Sequence, residues 1–119
     1  MEARLPAHLR VAGLLRTAQA EGGFGMVLHK GERDGGTILV VTLESAGLGA
    51  GRALGTLYER LPSAYGTWTW QVARKQESPD DRAFDDYIAR RIAQDADIWV
   101  VELTVADGER FIQQSLKGC

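Results

Sequence analysis

Two stretches, "TILVVTL" (Thr37–Leu43) and "IWVVELTV" (Ile98–Val105), constrain the fold of this chain most strongly. A strand with one solvated face alternates apolar and polar residues, whereas these two are apolar almost without interruption, so both their faces need cover. The segments around them supply it. From Pro6 to about Glu21, Val11, Leu14, Leu15 and Ala18 fall on one helical stripe. Pro6 suits a first turn, and Gly22-Gly23 a left-handed stop. A second helix is expected over "SPDDRAFDDYIARRIAQD" (Ser78–Asp95), capped by Ser78 with Pro79 at the first helical position and Asp81 three residues on. Its stripe is Phe84, Tyr87, Ile88 and Ile92. Asp107 is placed to cap a short last helix carrying Phe111, Ile112 and Leu116.

The remaining strands are "FGMVLHK" (Phe24–Lys30), "RALGTLYERLP" (Arg52–Pro62) and "TWTWQV" (Thr67–Val72). Asp34-Gly35 in "GERDGG" suits a tight hairpin between the first two strands. In the fourth strand Trp68, Trp70 and Val72 alternate with Thr67, Thr69 and Gln71, which predicts one packed and one wet face. The element order is α-β-β-β-β-α-β-α. It predicts a single α/β domain over residues 1–119, one mixed, mostly antiparallel five-stranded sheet with helices on both faces as a three-layer sandwich, the last strand parallel to a neighbour. A two-layer α+β arrangement is the alternative.

At 119 residues and 45% apolar composition the chain is long enough to bury a core. Its 14 basic and 16 acidic residues give a net charge of −2, which lends no overall field to the capture of nucleic acid or an anionic membrane. No apolar window is long enough for a transmembrane helix, and the N-terminal segment lacks the unbroken apolar core of a secretory signal. The single cysteine, Cys119, cannot form an internal disulfide, which points to the cytoplasm.

"AGLGAGRALG" (Ala46–Gly55) holds four glycines in ten residues. It lacks the lysine-hydroxyl pair of a P-loop and the third glycine of a dinucleotide fingerprint, and it leads into a strand where both motifs lead into a helix. It reads as a loop between the second and third strands, with a phosphate cradle helped by Arg52 as the alternative. His8 and His29 have no metal-ligand spacing, no G-x-S-x-G elbow surrounds a serine, and no metal or cofactor is expected. Asp80, Asp81, Asp85 and Asp86 crowd the start of the second helix, where the dipole favours negative charge without any metal. Trp68, Trp70 and Trp99, with Arg74 and Lys75, have the composition of a base-stacking platform, yet alternating tryptophans more often serve a core. Glu102 interrupts the last strand; a carboxylate there needs a partner such as Arg60 or Arg16, or must neutralise.

"LPAHLRVAGLLR" (Leu5–Arg16), the "GGF" at Gly22–Phe24, "LYERLP" (Leu57–Pro62) and "DIWVVELTVADGERF" (Asp97–Phe111) together resemble a family of short bacterial proteins, domain of unknown function 1491. The likeness spans nearly the whole chain. It implies a small, single-domain cytoplasmic protein and brings no catalytic or ligand residues with it. With no catalytic motif, the chain reads as a non-enzymatic binding or protein-interaction domain, with a protein partner or self-association. The candidate site is Glu59, Arg60, Trp99 and Glu102, a charged pair beside an aromatic wall. A small metal-assisted hydrolase or phosphate-ester enzyme using Glu102 is the alternative, and a nucleic-acid-binding module the third reading.

Overall fold

The doubly apolar runs lie side by side in the middle of a five-stranded sheet. The computed structural model describes residues 5–44 and 54–116. Its elements are α1 (Ala7–Ala20), β1 (Phe24–His29), β2 (Ile38–Glu44), β3 (Gly55–Pro62), β4 (Trp68–Lys75), α2 (Arg82–Gln94), β5 (Trp99–Val105) and α3 (Gly108–Ser115). The strands are ordered β1-β5-β2-β3-β4. β2 and β5 run parallel in register from Ile38↔Trp99 to Glu44↔Val105, and the other three pairings are antiparallel.

Strand alternation divides the core in two. On the front face Ile38, Val40, Val101 and Leu103 pack against Val11, Leu14 and Ala18 of α1 and Phe111 and Ile112 of α3. On the back face Leu39, Val41, Leu57 and Val100 pack against Phe84, Tyr87, Ile88 and Ile92 of α2. Helices therefore cover both faces, which is the three-layer arrangement expected from the two apolar strands.

Three local expectations need correction. β1 and β2 do not form a hairpin, because β5 lies between them. Their connection crosses the end of β5: the Glu32 N–H donates to the Asp97 carbonyl (2.9 Å), and the Trp99 N–H donates to the Thr37 carbonyl (2.8 Å). The Glu32 carboxylate closes the turn by accepting the N–H groups of Asp34 (2.8 Å) and Gly35 (2.5 Å). Gly35 thus needs no positive φ; among the described residues only Gly22 (φ 87°), which stops α1, and Gly66 (φ 81°), in the β3–β4 turn, adopt one.

The second correction is the cap of α2. Asp81, not Ser78, is the N-cap: its Oδ1 accepts the Phe84 N–H (3.2 Å) and its Oδ2 the Glu77 N–H (3.0 Å). These bonds, the one to Glu77 foremost, hold the Asp81 carboxyl below its usual value. A serine and an aspartate three apart are both good caps, and the charged acceptor makes the stronger bonds. The third concerns β4. Its tryptophan face is packed only in part: Trp70 is half-buried against the front core, while Trp68 is 60% and Val72 45% exposed. β4 is an edge strand, and on this same front face α1 packs on β1 and β5 and α3 on β2 and β5, which leaves β4 at their margin. Ala73 is an extra residue between the pairs Leu57↔Arg74 and Tyr58↔Val72, a bulge of the kind common at edges.

Asp107 caps α3 as expected, accepting the Arg110 N–H (3.1 Å). The glycine-rich segment and Arg52 lie outside the described residues, apart from Leu54 and Gly55.

Candidate functional site

β3 sends successive side chains to opposite faces, so Glu59 and Arg60 part company. Glu59 points to the back face and is 4% exposed. α2 supplies its partners: Tyr87 and Arg91 stand four residues apart, one turn above another on the same side of the helix. The Tyr87 hydroxyl donates to Glu59 Oε2 (2.6 Å), Arg91 Nη1 forms an ion pair with Glu59 Oε1, and Arg91 Nη1 also donates to the Tyr87 oxygen (3.2 Å). The Arg74 guanidinium sits 4.9 Å over the Tyr87 ring. Burial, then the bond to Glu59, raises the Tyr87 phenol above its ordinary value. Burial opposes the charge on Arg91, but the bonds to Glu59 and Tyr87 outweigh it and hold the guanidinium above its usual value. The carboxylate is thus buried and doubly served, as a buried charge must be.

Arg60 points to the front face, where its cross-strand neighbour is Trp70. Arg60 Nε and Trp70 Nε1 are both buried, and neither has a hydrogen-bond acceptor among the described residues. An orphaned buried donor costs about 1–3 kcal/mol, more on a charged group. Two of them on directly paired residues mark a place where an acceptor belongs.

These groups border one cleft of about 510 Å³ at the end of the sheet where β2 begins and β3 finishes. Arg10, Arg60 and Arg91 supply its cations, Glu59 its carboxylate, and Trp68 and Trp70 its aromatic wall. Arg91 is paired with Glu59, and Arg60 is the guanidinium of the cleft whose Nε meets no acceptor among the described residues. Such a cleft can hold an anionic group by charge-assisted bonds and lay an apolar part against the indoles.

The structure brings together two of the four residues singled out from sequence, Glu59 and Arg60. Trp99 is 4% exposed in the front core, and its Nε1 donates to the Glu32 carbonyl (2.6 Å), pinning the β1–β2 connection to β5. Glu102 is half-buried on the back face, opposite Met26 of β1 and Val41 of β2. Arg60 and Arg16 lie on the front side, and neither pairs with it. The three tryptophans form no common platform, since Trp99 is in the core. Arg74 lies over Tyr87 on the back, while Lys75 lines a front-face cavity. His29 Nδ1 contacts the Ile98 carbonyl (2.7 Å) and His8 Nδ1 the Arg33 carbonyl (3.1 Å), both holding loops in place. Among the described residues, no three His, Cys, Asp or Glu side chains gather as a metal-binding group, and no helix is long and apolar enough to cross a membrane.

Sequence reasoning missed Tyr87, Arg91 and Arg10. Tyr87 falls on the apolar stripe of the second helix. Its i, i+4 relation to Arg91 was the available signal, together with an acid inside β3 that needed a partner as much as Glu102 did.

A crystal structure of a DUF1491 family protein from Caulobacter crescentus CB15 is similar to this chain, with 28% identity and a TM-score of 0.73 over 91% of this chain and 94% of the other. An NMR structure of a DUF1491 family protein from the same organism gives 29% identity and a TM-score of 0.71, covering 93% and 94%. The solution structure of protein Atu0922 from A. tumefaciens, at 22% identity and a TM-score of 0.68 over 92% and 93%, shares the fold. No curated protein matches the chain. The model of the protein family of unknown function DUF1491 matches residues 5–113, and the chain belongs to that family.

Proposed function

We propose that this chain is a small binding domain rather than an enzyme, and that its ligand presents an acidic oxygen group to Arg60 in the cleft at the sheet end. The two orphaned donors, Arg60 Nε and Trp70 Nε1, carry this reading. Both are N–H groups that only donate, so the missing partner is an acceptor, and beside a guanidinium an anionic acceptor is favoured. Glu59, the one carboxylate among the described residues of the cleft, is engaged by Arg91 and Tyr87, which suits a structural anchor better than a base that must give and take a proton. The bacterial sources of the solved relatives support a bacterial origin, and the single cysteine fits a reducing compartment such as the cytoplasm.

The test is a titration followed by ¹H–¹⁵N NMR with acetate, benzoate and inorganic phosphate at low ionic strength. The Arg60 Nε–H and Trp70 Nε1–H resonances should move saturably with at least one anion, and the effect should vanish in Arg60→Gln. Resonances that stay still with all three would overturn the proposal.

A further inference from the structure

The cleft does not end at Trp70. A second cavity, of about 270 Å³, lies between α1 and β4 and is bordered by Leu9, Leu14, Arg16 and Trp70. A third, of about 350 Å³, lies toward α3 and is bordered by Glu44, Tyr58, Trp70, Val72, Lys75 and Glu109. Trp70 lines all three, so they adjoin one another as a trough along the front face of the β3–β4 hairpin, with α1 and α3 forming its far wall.

The trough is electrically polar. Arg10, Arg16 and Arg60 stand along one part of it, and Glu44 and Glu109 stand with Lys75 at the other end. Between them the β4 surface is apolar: Trp70, half-buried, and Val72, 45% exposed, follow Arg60 and Tyr58 across the strand pair, with Leu9 of α1 (45% exposed) alongside. The Tyr58 phenol senses the acidic end, since burial first, then the charges of Glu109 and Glu44, raise it above its ordinary value. From Arg60 to Thr56, the β3 residues that bound the two ends, is four residues, or about 13 Å. A chain of four or five extended residues covers that length.

We infer that the trough seats an extended segment of a partner protein, with an acidic group at Arg60, an apolar side chain over Trp70 and a basic side chain at Glu44 and Glu109. This rests on the assignment of an acidic group to the Arg60 end. A nucleic acid strand carries a phosphate at every residue and would set one against the two glutamates, whereas a peptide can change charge along its length. Hydrophobic anchoring beside a rim of complementary charge is how such segments gain both affinity and register.

The experiment titrates the full chain with end-blocked pentapeptides carrying Asp and Lys at the two ends and Leu in the centre, in both chain directions, and with the matching peptides carrying two acids. The readouts are the Trp68 and Trp70 indole N–H, the Arg60 Nε–H and the Glu109 backbone amide. One acid–base peptide should bind with all four resonances moving, roughly three- to tenfold tighter than its two-acid counterpart, as one surface charge pair allows. Glu109→Lys, an exposed site, should reverse that preference. If benzoate or another anion moves the Arg60 resonance but no peptide binds tighter than it, or if Glu109→Lys leaves the preference unchanged, the peptide assignment is overturned while the anion site stands. If neither peptides nor simple anions move Arg60, both fall.

Discussion

Removing the positive partner of Glu59 is the sharpest test of the back face. Glu59 is 4% exposed and accepts from Tyr87 and Arg91 alone among the described residues. Arg91→Met keeps a long apolar stem on α2 but leaves a buried carboxylate with one donor. Breaking a fully buried pair in this way costs about 3–5 kcal/mol. The Arg91 side chain is 27% exposed, so solvent screening brings the expected loss to about 2–3 kcal/mol. At a chain length of 119 residues, 1 kcal/mol moves the thermal midpoint by about 4 °C, which puts the variant about 8–12 °C below the parent in a calorimetric scan at neutral pH.

The double variant gives the more specific signature. Glu59→Gln with Arg91→Met leaves no buried carboxylate stripped of its cation, so it should recover part of the Arg91→Met deficit, and the two substitutions should be clearly non-additive. A deficit below about 0.5 kcal/mol, the size of an ordinary surface substitution, would mean that water reaches Glu59, and the buried anchor would be refuted.

Three further outcomes are expected. Asp81→Ala should destabilise the chain while Ser78→Ala leaves the midpoint unchanged, because Asp81 accepts the helix N–H; the depressed Asp81 carboxyl stabilises above about pH 4 and loses that effect on acidification, so the acid limb of the stability curve should flatten in Asp81→Ala. Phe111→Ala should cost about 3–5 kcal/mol in urea unfolding, since this ring is 1% exposed and ties α3 to the front core. Tyr87→Phe should make stability fall less steeply above about pH 10, because the raised phenol stabilises below that value and its contribution disappears as pH climbs through the folded one.

The two doubly apolar strands were enough to determine that the sheet needs helices on both faces. Local signals did the same for the element order, the α1 stop at Gly22 and the α3 cap at Asp107, because each depends on residues only a few positions apart. Choosing Asp81 over Ser78 depended on how the chain enters the helix. The order of strands, with β5 between β1 and β2, pairs residues about seventy positions apart, such as Val27 with Val101. No periodicity encodes which edge a strand will join. The same holds for the site. Alternation along β3 already sends Glu59 and Arg60 to opposite faces, but only packing gives Glu59 its partners, 28 and 32 residues away on α2, and leaves Arg60 and Trp70 without acceptors. Tryptophans at Trp68 and Trp70 read as core because large rings are usually covered. That a trough lies open above them was decided by where α1 and α3 dock, since a sheet face stays exposed when no helix is left to cover it.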